Sequence, residues 1–442
     1  MRAYVALLFA LMTNAAHAAA PAEPPREVEF TIVLAGDTGL NGSFEPVYAT
    51  FGTKQGERLQ WNDAAAAIAP EINGDINFAN LETVVTDRND LKANLKLFGF
   101  RTHPDGVRFL TRLGFNVFST ANNHAMDFGL DGARETLKQL SLIAAERGLV
   151  FAGLGANRVE AGAPHLMLAR GERIALSALG IIGSGYGSPD PGEDRPGQLS
   201  YQSDRDLAEV ADRLAAAKAD YRILSVHYGQ EFEPVTERED RTRLRDRTLL
   251  ARDLDLIVGH HQHVVAGVEI VGGKAIFYGL GNFLHWGTQD MSRFDLCRDY
   301  GLLVRVHVAG LPGERPTLRA IEAMPVTNMH RATTRMTGET ARTRIHVLNY
   351  LAEQFDDTKS GSHGVRFALR DDGSGLYCAP GAERLAGRIG ELCRAGLTVQ
   401  APAPALRADI ERACNKRVVR IVEGEPEFEA EPTFLPALLP SE

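Results

Sequence analysis

Short apolar runs alternate with amphipathic stretches through the first half of the chain. Residues 30–35 (FTIVLA) predict a strand ending at Gly36-Asp37, and residues 76–79 (INFA) a second, ending at Asn80-Leu81-Glu82. Between them, residues 63–72 predict a helix. Val107, Leu110 and Leu113 form a helical stripe closed by Gly114, a residue suited to the left-handed cap. Residues 116–120 (NVFST) predict the next strand, running into Asn122-Asn123-His124, and a helix from about residue 132 carries Leu137 and Leu140 and stops at Gly148. Alternation of this kind predicts an α/β fold with parallel strands. The pattern then becomes richer in strands: 222–226 into His227, 254–258 into Gly259-His260-His261, 274–278 into the GLGNF segment at 279–283, and 302–308.

The polar residues recur at one kind of place. Asp37, Asn80 and Glu82, Asn123 and His124, His227, and His261 and His263 each sit at or just after the carboxyl end of an apolar run. In open α/β sheets that edge is where ligands bind. A lone histidine after a strand is usually a capping residue; five strand ends supplying Asp, Glu, Asn and His point to one site. Carboxylate mixed with imidazole suits Zn, Mn or Fe better than Ca, which prefers oxygen shells.

The residues also resemble a known family. The segment NHAMDFG at 123–129 resembles the N-H-E-x-D-x-G block of calcineurin-like phosphoesterases, and DLIVGHHQH at 255–263 their D-x-x-x-G-G-H-x-H block. The fuller set is more similar still to the CapA (PGA-cap, poly-gamma-glutamate capsule) family: GD at 36–37, NLE at 80–82, NNHAMDFG at 122–129, HYGQE at 227–231, GHHQHVVAGVE at 259–269 and YGLGNF at 278–283. The resemblance implies a four-layer α/β/β/α sandwich over residues 27–330 and a divalent metal centre of one or two ions. By position, Asp37 and His263 would bind the first metal, Glu82 would bridge with Asn80 as competitor, and Asn123, His227 and His261 would bind the second. His260 would be a spare ligand. His124 would be the catalytic acid or charge stabiliser. Asn122, Asn282, Asn80 and Arg101 are candidates to touch substrate or to fix backbone around the site; Phe98, Lys92 and Lys96 flank Arg101 in what reads as a solvated charged loop, and Glu231 could orient a ligand. One departure concerns the first metal: the phosphoesterase pattern's D-x-H opening reads Asp37-Thr38-Gly39 here, without its histidine.

The resemblance implies a metal-dependent hydrolase acting on poly-gamma-glutamate, another envelope polymer or a phosphoester, with capsule machinery as a partner; the alternative is a non-catalytic binding or assembly protein. Composition narrows this. A net charge of −9 over 442 residues gives no basic face for nucleic acid. A short basic start, an apolar run at 3–12 and an A-x-A site at 16–18 predict a signal peptide over residues 1–20, hence a periplasmic or secreted protein without a membrane-spanning segment once it is removed. Cys297, Cys378, Cys393 and Cys414 favour structural disulfides, with three pairings open. The glycine-rich 183–187 segment, followed by SPDPGEDRPG, reads as a turn-rich loop and not a phosphate cradle. Residues 331–421 read as a cysteine-bearing C-terminal extension, and 422–442, rich in Glu and Pro, as a disordered tail.

Overall fold

The computed structural model describes residues 28–41, 50–52, 58–96, 98–181, 195–201, 203–311, 314–356, 361–422 and 425–430. The signal-peptide segment, the 183–187 loop and residues 431–442 lie outside them.

Two sheets, ten-stranded and seven-stranded among the described residues, face one another. In the first, Val28–Leu40 runs parallel to Ile76–Leu81, which runs parallel to Val117–Ser119. Gly301–Gly310 lies antiparallel on the other side of Val28–Leu40, and Asn282–Trp286 lies parallel to its last residues. In the second sheet Glu172–Ile181, Tyr221–Tyr228, Leu256–His260 and Lys274–Phe277 are successively parallel.

The period-two alternation of each strand sorts its side chains into layers. Ile32, Leu34 and Phe78 meet Leu176, Ile223, Leu256 and Phe277 between the sheets. On the outer face of the first sheet, Val33, Ala79 and Phe118 pack against Val107 and Leu110 of helix Pro104–Arg112 and Leu140 and Ile143 of helix Gly129–Arg147. On the outer face of the second, Leu224, Val226 and Ile257 pack against Leu207, Val210 and Leu214 of helix Asp204–Ala216. The layer order is therefore α/β/β/α.

Three expectations are corrected. The helix expected over 63–72 is instead a short α-helix, Trp61–Ala65, followed by a 3-10 turn, Ala69–Glu71. Pro70 has no N–H to continue the ladder and its ring clashes with the preceding turn. The chain beyond 330 is not an appended extension. Helix Gly338–Ala352 places Ile345, Leu348 and Leu351 in the core between the sheets. Ser362–Gly364 pairs with Val268–Val271 at the edge of one sheet, and Gly375–Cys378 pairs with Thr317–Thr327 in the other. Finally, order runs past 422: Glu425–Ala430 pairs antiparallel with Lys416–Val422. Phe428 of this hairpin lies 4.5 Å from the Arg298 guanidinium and 6.4 Å from the Phe294 ring, which gives it an apolar seat. The cysteines pair as Cys297–Cys414 and Cys378–Cys393.

One ion network ties the late strands to the sheet. Glu322 accepts from His307 Nε2 at 2.8 Å and Arg370 Nη1 at 2.6 Å. Burial pushes its carboxyl up, but His307, Arg305 and Arg370 outweigh this and hold it at about 2. A carboxylate depressed in the folded state stabilises the fold fully above its unfolded value of 4.5 and ceases to do so as pH falls through about 2. Glu322→Gln is accordingly expected to lose on the order of 2 kcal/mol at neutral pH and to flatten the decline of stability below pH 4.5, as read by urea denaturation across a pH series.

Candidate metal centre

The centre forms where parallel strands from both sheets end. Asp37 lies in register with Asn80 on one neighbouring strand and with Asn282 on the other. This depends on Gly36: a Cβ there would stand 1.8 Å from the Gly281 carbonyl oxygen, which instead accepts from Asp37 N–H at 3.0 Å. In the second sheet His227 is in register with His260. The chain then turns sharply, with His261 at φ 98° and His263 at φ 57°. Non-glycine residues in that region cost about 1–3 kcal/mol each and persist where the surroundings enforce them. Both strained residues belong to the centre.

Two groups of donors converge, each with its ligand atoms within 4.8 Å of one another: Glu82, His227 and His261, and Asp37, Glu82 and His263. Glu82 belongs to both. Asn123 joins the first group, its Oδ1 2.8 Å from His227 Nε2. His263 Nδ1 stands 3.2 Å from Asp37 Oδ2 and 2.9 Å from Asn282 Oδ1. Asn80 organises the middle, donating from Nδ2 to Asp37 Oδ1 at 2.9 Å while its Oδ1 accepts from Asn122 Nδ2 at 3.3 Å.

Glu82 is the telling residue. It is fully buried, and neither carboxylate oxygen has a hydrogen-bond partner among the described residues. A buried carboxylate in that condition is costly unless a cation compensates it. Burial pushes Glu82 up, yet His227 and His263 hold it well below the usual carboxylate range. Asp37, pushed up by burial and by Glu82, is likewise held low by His260 and His263. His263 answers both. Burial would lower its pKa, but Glu82, Asp37 and Glu231 raise it to about 10. Burial keeps His261 well below its ordinary value, with His227 and His263 adding to the effect, and it lowers His260 against the pull of Asp37. The donor set of carboxylates, an amide oxygen and imidazoles fits a divalent ion of the Mn, Fe or Zn class.

Beside this centre stands a second device. His124 Nδ1 is 2.6 Å from Asp127 Oδ2, and the other oxygen of Asp127 pairs with Lys96 Nζ at 2.6 Å. Asp127 also accepts from Phe100 N–H at 2.7 Å, and the Phe100 ring lies 4.1 Å from the His124 ring. Burial lowers the His124 pKa although Asp127 opposes it. The imidazole is thus fixed through Nδ1, leaving Nε2 to meet a reacting group.

The sequence of residues 31–286 matches the model of a family described as bacterial capsule synthesis protein PGA_cap. The chain belongs to this family. The PGA biosynthesis protein CapA of Bacillus subtilis shares 30% identity with it over 208 residues, 46% of this chain and 52% of that protein. The capsule biosynthesis protein CapA of Bacillus anthracis shares 25% over 285 residues, 63% of this chain and 66% of that one. The chain thus spans between half and two thirds of these relatives' lengths. Among solved structures, the NAD nucleotidase NadN of Haemophilus influenzae aligns with a TM-score of 0.38 at 14% identity, covering 71% of this chain and 54% of that one. A likeness that distant says nothing about substrate or reaction.

In this PGA_cap chain the structure brings Asp37, Glu82, Asn123, His227, His261 and His263 together, with Asn80, Asn122 and Asn282 woven between them. The Arg101 guanidinium lies 5.5 Å over the Phe128 ring and donates to the Arg88 carbonyl. Lys96, expected on a solvated loop, is instead ion-paired to a fully buried carboxylate. The role of Asp127 is open to sequence reasoning, since it follows His124 by three residues in the NHAMDFG block. His285 gives no such signal: it is fully buried, and its Nε2 stands 3.5 Å from Glu82 Oε2.

Addition of Mn2+ or Zn2+ to chelator-treated protein is expected to raise the melting temperature, and Glu82→Gln to abolish that rise. Thermal denaturation with and without the ion measures both.

Proposed function

We propose that this PGA_cap chain is an exported, metal-dependent hydrolase acting on an anionic envelope polymer or phosphoester, with poly-gamma-glutamate as the leading substrate. The observation that carries the reading is Glu82, a buried carboxylate with neither oxygen hydrogen-bonded among the described residues, shared by two donor groups and adjacent to the His124–Asp127 pair. Asp37, Glu82 and His263 would hold one ion and Glu82, Asn123, His227 and His261 another. When bound, such ions polarise the scissile bond and lower the pKa of water. The protein's own contribution is proton delivery. Asp127 fixes the His124 tautomer through Nδ1, so a proton carried on Nε2 is directed to the leaving group, and Lys96 holds Asp127 in place by pairing with its second oxygen. The names of the Bacillus relatives support the polymer, and the disulfides Cys297–Cys414 and Cys378–Cys393 support an oxidising compartment. No helix among the described residues is long and apolar enough to cross a membrane.

A second reading, a protein that holds capsule polymer without cutting it, draws on the depth of the centre. The His263 side chain is only 11% exposed, and those of His227 and Glu82 are fully buried. A panel of gamma-glutamyl and phosphodiester substrates, with metal analysis of the purified protein, separates the two. On a substrate that is turned over, His124→Ala is expected to lower kcat by about 10²–10⁴-fold with metal content unchanged. Unchanged turnover in both His124→Ala and His261→Ala would overturn the hydrolase reading.

A further inference from the structure

Glu82 is approached by imidazole from two sides. His227 Nε2 stands 3.5 Å from Oε1, and His285 Nε2 stands 3.5 Å from Oε2. Both separations exceed a hydrogen bond. They match the spacing of two donors on one tetrahedral ion, which at metal–ligand distances of about 2.1 Å lie roughly 3.4 Å apart. His227 is an expected ligand; His285 is not accounted for by any role described so far.

A histidine in the interior of a strand is usually a core residue satisfied through hydrogen bonds. His285 is not satisfied in that way. It is fully buried, and neither ring nitrogen finds a hydrogen-bond partner among the described residues. Leaving a buried polar atom unpaired costs about 1–3 kcal/mol, so the position calls for a ligand. The ring is held by packing instead, edge-on to Phe100 at 5.2 Å and 5.9 Å from the His263 ring. Its strand, Asn282–Trp286, also carries Asn282, whose Oδ1 is 2.9 Å from His263 Nδ1. The parallel register sets His285 directly beside Gly39 on the strand that carries Asp37. Gly39 is the position at which the chain lacks an imidazole of its own.

We infer that His285 is a metal ligand, binding through Nε2 the ion on the Oε2 side of Glu82 and supplying from the neighbouring strand the imidazole absent at residue 39. The inference rests on the proposed metal centre, whose two donor groups share Glu82, and would add an imidazole to one of its two ions.

The test uses the full chain, stripped with chelator and titrated with Co2+ or Zn2+ alone by calorimetry and elemental analysis. Wild-type protein is expected to take two equivalents. His285→Gln should weaken the ion on one side by more than about 100-fold, leaving one equivalent on a protein whose circular dichroism in chelator is that of the wild type. Gly39→His added to His285→Gln should restore the second. His285→Cys loaded with Co2+ gives a direct signature, a near-ultraviolet thiolate-to-cobalt absorption, and serves if His285→Gln does not fold. Two equivalents bound by His285→Gln at wild-type affinity, or two Co2+ bound by His285→Cys without that absorption, would overturn the inference and leave the metal centre standing. A single ion in the wild type that His227→Gln loses and His285→Gln keeps would do the same. No metal bound by the wild type would overturn the centre and the inference together.

Discussion

Two carboxylates, Asp37 and Glu82, are buried side by side at the point where the strands of both sheets end. Like charges out of water raise one another's pKa, and burial acts in the same direction. These two are held ionised nonetheless, because the fold surrounds them with imidazoles from three separate stretches of chain: His227, His260 to His263, and His285. Much of the local architecture serves that arrangement. Gly36 lets the strands approach closely enough for Asp37 to sit beside Asn282, and the left-handed backbone at His261 and His263 turns their rings inward against its own preference.

The two-sheet sandwich explains how residues so far apart in sequence meet. Parallel strands put their carboxyl ends on one edge, and two such sheets packed face to face bring two edges together. The first contributes Asp37, Asn80, Glu82, Asn123 and His285; the second contributes His227 and the 260–263 turn. The centre is therefore an interface between sheets, with helix-bearing layers on the outside to bury their remaining faces. His124 and Asp127 enter from the loop after Val117–Ser119, close enough to act on what the centre would hold, yet fixed by their own bonds to Lys96 and Phe100.

Much of this is legible in the sequence because it obeys a local rule. Apolar runs that end in Asp, Glu, Asn or His announce strand ends, and the donors named from them are the ones the fold gathers. What escapes a linear reading depends on pairings between distant segments. His285 follows Phe283 and Leu284 and precedes Trp286, so it reads as core; its meaning appears only through its register with Gly39. Lys96 lies between Leu95 and Leu97 in a segment of mixed polarity, and nothing nearby indicates that its partner is Asp127. The C-terminal quarter reads as an extension because its strands are short and their partners lie tens of residues upstream. Pro70 stands inside the helix expected at 63–72, where its missing N–H outweighs the apolar spacing.

The placement of the Val28–Leu40 strand bears on how the molecule is made. Its antiparallel neighbour Gly301–Gly310 and its partner Asn282–Trp286 come more than two hundred residues after it. The bridge from Cys297 to Cys414 closes later still, across 117 residues, and Arg298 beside it anchors the chain through the carbonyls of Ala413 and Lys416. Asp37 must therefore wait, with one side of its strand open, until residues 282–310 are available to pair. Assembly of the centre is a late and long-range event. A chain truncated ahead of residue 282 would present an unpaired strand edge, the kind of surface that chaperones must guard.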